Sequence, residues 1–275
     1  MAKLSTQVGA VVALVSAIKN VGPKAVLRFS AGGLCVQAMS PGDAWMVDVK
    51  WRPENFAKFF WPWETNVSVD AQLLHKVLGG VKPAAVIKIR QAAHFEQHAL
   101  RMDWEHGCES GNFKVGNLVP SLEGLLETTQ ATEVMLRLPV SEFAEAVRRV
   151  CDLCGHFFVQ ATPEGVWFVG ACFGDATVTP RVFRAAGVRV YNGKPLQQTF
   201  GPFNAEHVVA AHVESFVSAE VNGPDVILKC AHYAPLVVCT RREFDVTLYF
   251  SPYVNEDYIP PAPPRIVVAT ATQPQ

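Results

Sequence analysis

The sequence predicts an α+β fold of two similar halves, each built from two copies of a helix followed by a β-hairpin. Three observations predict it. The helix-then-hairpin pattern occurs four times along 275 residues. The first and third helices begin about 132 residues apart, and the second and fourth about 134, so the repeat is of halves. Hydrophobic residues make up 49% of the chain against 18% charged, which is enough apolar material for a core in each half.

The first helix runs from Gly9 to Val21, apolar at nearly every turn, and Gly22 and Pro23 stop it. Its hairpin follows as Ala25 to Phe29, a turn at Ser30 to Gly33, and Leu34 to Ala38. The second helix spans Asp70 to Leu78, with an N-capping aspartate in front and Gly79 and Gly80 behind. Ala85 to Arg90 and Ala99 to Trp104 are its strands. The third helix spans Ser141 to Leu153 and ends at Gly155; Phe143, Val147, Val150 and Cys154 recur at three- and four-residue spacing. Its strands are His156 to Ala161 and Val166 to Gly170. The fourth helix spans Asn204 to Val217, with Val208, Val209, Val213 and Phe216 on one face. Asp225 to Cys230 and Pro235 to Thr240 complete it. A solenoid, with a period of ~20–50 residues, is excluded. The pattern divides the chain into a first domain, 1–117, a linker, 118–133, and a second domain, 134–257. A Pro-rich tail, 258–275, reads as extended or disordered.

Charge and cysteine usage narrow the function classes. Lys and Arg number 24 against 25 Asp and Glu, and the pI is near 6.7, so a globally basic nucleic-acid coat is excluded while a local basic patch is not. Apolar stretches fall short of the ~18–20 residues that cross a bilayer, and the start lacks a small-residue cleavage site; a soluble intracellular protein is expected. Seven cysteines, an odd number in mostly strand-like apolar surroundings, fit buried free thiols in a reducing compartment.

No phosphate loop, dinucleotide fingerprint or nucleophile elbow appears, so no enzyme and no cofactor is expected. Cys151 and Cys154 form one lone pair on a predicted helix, and core packing is the better reading than zinc. His94 and His98 fall in a predicted turn, where four-residue spacing does not bring ligands together. The expected metal set is empty.

Short segments in a fixed order carry a family resemblance. Gly33 to Met39 (GLCVQAM), Leu138 to Ala144 (LPVSEFA), Glu164 to Phe168 (EGVWF), Pro235 to Val238 (PLVV) and Leu248 to Pro252 (LYFSP) resemble the proliferating cell nuclear antigen (PCNA) sliding clamps. The matches span residues 8–257, and the chain reads as a divergent, viral or otherwise outlying member. The resemblance implies the DNA clamp (processivity) fold, with helices inside and antiparallel sheets outside. It implies a homotrimeric, pseudo-sixfold ring around double-stranded DNA, a clamp loader, and DNA polymerase and other replication or repair proteins bound through short hydrophobic peptides. It implies action in the nucleus or at a viral replication site, and no membrane.

The resemblance also assigns residues. Lys19, Lys76, Lys82, Arg148 and Arg149 are the expected DNA-facing cations, with His207 and His212 adding charge only when protonated. Family basic positions fall on Gly79, Glu145 and Ser218, so that wall is depleted. Met39, Leu125, Leu126, Pro235, Tyr249, Ser251 and Pro252 are the expected partner-peptide pocket, with Phe250 beside them. Phe113 and Val115, in the stretch 111–116, and Val188 and Val190, in the stretch 186–191, are the expected subunit contacts. Pro163 stands where the family carries its ubiquitin-modified lysine. Two alternatives remain: a monomeric or heteromeric clamp-like viral or checkpoint subunit, and a clamp-fold scaffold or transcription factor that does not encircle DNA.

Overall fold

The computed structural model describes residues 2–91, 100–115, 117–118, 132–162, 165–171, 182–185, 189–191, 198–211, 224–241 and 244–252. The first half contains β1 (Ala2–Gln7), α1 (Val8–Ile18), β2 (Lys24–Ser30), β3 (Gly33–Met39), β4 (Trp45–Trp51), β5 (Lys58–Phe60), β6 (Thr65–Asp70), α2 (Ala71–Gly79), β7 (Val86–Gln91), β8 (Leu100–His106), β9 (Glu109–Val115) and β10 (Asn117–Leu118). The second half contains β11 (Val134–Pro139), α3 (Val140–Cys154), β12 (His156–Thr162), β13 (Gly165–Ala171), β14 (Val182–Ala185), β15 (Arg189–Tyr191), β16 (Gln198–Asn204), α4 (Ala205–Val208), β17 (Asp225–Cys230), β18 (Leu236–Arg241) and β19 (Asp245–Phe250). All four predicted helix-hairpin units are present.

Three antiparallel sheets result. Five strands run in the order β5-β1-β7-β8-β9, four in the order β14-β13-β12-β16, and ten in the order β10-β6-β2-β3-β4-β19-β18-β17-β11-β15. The ten-stranded sheet crosses between the halves where β4 pairs with β19 over six residues, from Lys50 opposite Asp245 to Trp45 opposite Phe250. Strand order repeats between the halves: β15-β11-β17-β18-β19 reproduces β5-β1-β7-β8-β9, and β16-β12-β13-β14 reproduces β6-β2-β3-β4.

The helices lie on one face of the sheets. Val8, Leu14, Ile18, Leu74 and Leu78 of α1 and α2 are buried against the alternate strand residues Leu4, Ile87, Ile89 and Met102. Phe143, Val147 and Val150 of α3 do the same over Phe157 and Phe168. Period-3.6 and period-2 apolar patterns thus meet in one core.

Local chemistry sets the element ends. Asp70 accepts a hydrogen bond from the Leu73 N–H at 2.8 Å and Asn204 one from the His207 N–H at 3.1 Å, the two predicted N-caps. Gly155 ends α3 at φ 61°, a left-handed conformation that costs glycine little. Gly33 opens β3 at φ 118°, and a Cβ there would lie 2.2 Å from the Trp51 carbonyl oxygen.

Several bounds differ from expectation. α1 ends at Ile18 rather than Val21, so Lys19 is its C-cap. α4 is α-helical over Ala205–Val208 and forms a π turn over 209–211; the rest of its predicted span, with His212, Val213 and Phe216, lies outside the described residues. Ten strands beyond the four hairpins (β1, β4, β5, β6, β9, β10, β11, β14, β15 and β16) and the closing strand β19 complete the sheets.

Candidate functional site

The exposed face of the helix layer holds the expected DNA-facing cations. α1 contains no charged residue in its 11 positions. Its C-capping Lys19 places Nζ 3.3 Å from His75 Nε2 on α2. Burial, and then the Lys19 ammonium, hold the His75 imidazole below its ordinary pKa, so His75 adds no cation at neutral pH. Lys82 pairs with Glu109 at 3.2 Å, and Arg149 pairs with Glu145 one turn back on α3. Lys76 and Arg148 are exposed and make no ion pair among the described residues. On α3, Glu142, Glu145 and Asp152 outnumber Arg148 and Arg149. Leu73, Val77 and Leu153 are exposed on the same layer, Leu73 by 58%. Among the described residues the face is close to neutral and partly apolar, and its phosphate attraction rests chiefly on Lys76 and Arg148.

The outer face of the ten-stranded sheet holds the expected peptide pocket. The register sets Met39 opposite Met46, Met46 opposite Tyr249, and Tyr249 opposite Val237. Four strands therefore present one apolar row across the junction of the halves. Val237 and Met46 are buried and Met39 and Tyr249 half-buried, although the row faces away from the helices. Pro235 and Pro252 are half-buried nearby and Ser251 is exposed; the Ser251 N–H donates to the Ala44 carbonyl at 3.0 Å. Leu125 and Leu126 lie outside the described residues. Met46 and Val237 escape a sequence reading, because alternation within a strand shows which face a residue takes but not its neighbour on the next strand.

The expected subunit contacts fall on sheet edges. Phe113 is half-buried on β9, which among the described residues ends the five-stranded sheet opposite β5, and faces the core beside Met102. Val115 ends the same strand. Val190 sits on β15, whose pairing to β11 within the chain sets Val190 opposite Leu136; Val188 lies outside the described residues. β14, which among the described residues ends the four-stranded sheet opposite β16, carries no signal of its edge position in the sequence.

Cys151 and Cys154 lie half-buried in the last turns of α3, and Cys154 packs so closely on Gly170 that a Cβ there would meet its sulfur at 2.7 Å. Among the described residues no group of three or more His, Cys, Asp and Glu side chains could hold a metal. His94 and His98 lie outside the described residues. No helix among the described residues is long and apolar enough to cross a membrane.

No family model matches this chain. Among solved structures it is similar to the crystal structure of the proliferating cellular nuclear antigen from Entamoeba histolytica, with a TM-score of 0.72 at 16% identity over 92% of this chain and 99% of that one. The chain has the PCNA-like clamp fold: mixed α+β, with antiparallel sheets on one side and few helices on the other.

Proposed function

We propose that this chain is a non-enzymatic DNA sliding clamp that closes head-to-tail into a homotrimeric ring around duplex DNA. One observation carries the reading. Within the chain, β4 of the first half pairs with β19 of the second. By the repeat of strand order, β14 is the counterpart of β4 and β9 the counterpart of β19, and among the described residues both end their sheets. These two edges are therefore copies of the two strands that already join halves. A second copy satisfies both, β9 against β14, and repetition through a closed rotation leaves neither of them unpaired. This moves the second contact from the stretch 186–191 to β14. Phe113 supports the choice: it occupies the place of Leu248, which is fully buried at the β4–β19 junction.

In such a ring, retention on DNA is topological. A near-neutral helix face suits it, because phosphate contacts then add little friction and processivity does not depend on salt. The apolar row from Met39 to Val237 is the proposed anchor for a hydrophobic peptide from DNA polymerase or another replication protein. A loader opens the ring, and the site of action is replicating DNA in the nucleus or a viral replication compartment. The same neutral face favours a second reading, a clamp-fold scaffold that does not encircle DNA.

Light scattering over a concentration series tests the ring: about three times 30.1 kDa supports it, and a persistent monomer overturns it. Retention on nicked circular DNA, lost on linearisation, separates the clamp from the scaffold.

A further inference from the structure

The cations missing from the helix face are found on the opposite side of the first half. On the outer face of the five-stranded sheet, the register sets Lys3 opposite Arg90, Arg90 opposite Arg101 and Arg101 opposite Lys114. Four positive side chains thus stand abreast on β1, β7, β8 and β9. At ~4.8 Å per strand the row is roughly 14 Å wide. One step along, Lys58 and Lys88 lie on the same face, both opposite Ser5.

Asp103 and Glu105 stand among these cations and answer Arg90, Arg101 and Lys88. Asp103 is shared, 3.3 Å from Arg90 Nε and 2.8 Å from Arg101 Nε, and Glu105 takes Lys88 at 2.7 Å. Lys3 and Lys58 are exposed and make no ion pair among the described residues. Like charges directly opposite on neighbouring strands are destabilising, so the row favours an anionic occupant.

An aromatic side chain at one end of the row identifies its class. Phe60 is opposite Lys3 and 55% exposed. An acidic peptide uses the cations but has no use for a bare ring. A duplex hides its base faces. A single strand uses both, phosphates on the cations and a base on the ring. We infer that the outer face of this sheet, from Phe60 and Lys3 across to Lys114, binds single-stranded nucleic acid outside the ring. The inference does not depend on ring closure, since Phe60, Lys3 and Lys58 lie on β1 and β5, away from the β9 edge.

Fluorescence anisotropy of a labelled oligothymidylate of about 12 nucleotides, titrated with the full chain over a salt series, tests it. Four phosphate contacts give a log–log salt slope near −3. Lys3→Glu with Lys58→Glu weakens binding at least tenfold, and Lys3→Gln with Lys58→Gln, the milder pair, weakens it in the same direction. Phe60→Ala weakens binding about tenfold with little change in slope. Lys76→Glu with Arg148→Glu, on the helix face, leaves oligothymidylate affinity unchanged. The inference is overturned by unchanged affinity in the Lys3 and Lys58 variants. It is equally overturned by loss confined to the helix-face variant, or by polyglutamate competing as well as oligothymidylate at equal charge.

Discussion

Replacing Phe113 by alanine separates the interface from the fold. A phenylalanine side chain offers ~200 Å² of surface, of which no more than about a third is still accessible on the edge strand β9. Pairing with β14 of a second copy covers that remainder, as pairing with β4 covers Leu248 in the equivalent place. At ~25 cal/mol per Å², and allowing for the methyl group alanine retains, the loss is at most about 1.4 kcal/mol per interface, or roughly tenfold in association. A closed trimer has three such interfaces, so Phe113→Ala shifts the midpoint of assembly far to higher concentration. Sedimentation velocity over a dilution series reads it. Leu248→Ala is the contrasting variant: it removes a fully buried side chain at the junction within the chain and destabilises the fold itself by ~3 kcal/mol. The reasoning fails if Phe113→Ala assembles like the parent protein while its circular dichroism is unchanged, because β9 is then not the contact.

Four further outcomes are expected. Arg52 contacts Asp245 across the β4–β19 junction at 2.7 Å, with partly exposed side chains, so Arg52→Ala lowers stability by ~0.5–1 kcal/mol in a urea melt; a larger loss would mean the pair is less screened than its exposure implies. Asp70→Ala removes the cap of α2 and costs about 1 kcal/mol, read as a lower denaturation midpoint with an unchanged slope. Lys76 and Arg148 together give duplex binding a log–log salt slope near −1.8 per subunit, and Lys76→Glu with Arg148→Glu abolishes it; a much steeper slope in the parent would show other phosphate contacts. Burial pushes the Cys230 thiol from 9.0 up to about 12. Below pH 9.0 it is neutral in both states and its contribution is fully present. Between 9.0 and about 12 the unfolded thiol ionises and the folded one does not, so stability falls by up to ~1.4 kcal/mol per pH unit. Cys230→Ala reduces that alkaline decline, and an unchanged decline would assign it to Cys35 and Cys239, which burial also raises.

The four helices and their hairpins were legible because each rests on local chemistry. Asp70 and Asn204 cap their helices through their own side chains, and Gly155 ends α3 through its backbone freedom. The order of short family-like segments foretold the clamp fold, which the structural likeness bears out. α1 was read three residues too long because Lys19, Asn20 and Val21 do not break a helix by propensity; the chain leaves there to bury Val21.

Strand partners were not legible, and both candidate surfaces depend on them. A two-residue period shows that Lys3, Arg90, Arg101 and Lys114 face outward on their own strands; only long-range pairing sets them side by side. The same is true of Met39, Met46, Tyr249 and Val237. Which strand ends a sheet is equally a property of the whole: β15, within the stretch 186–191, and β14 both end sheets, and it is the repeat of strand order that favours β14 as the proposed contact. By itself the sequence determined the four helices with their hairpins and the repeat of halves, because those follow from neighbours within a few residues. The tertiary structure alone decided the registers, the free edges and the separation of a neutral helix face from a basic outer one, because charge becomes a patch only when strands distant in sequence are hydrogen-bonded together.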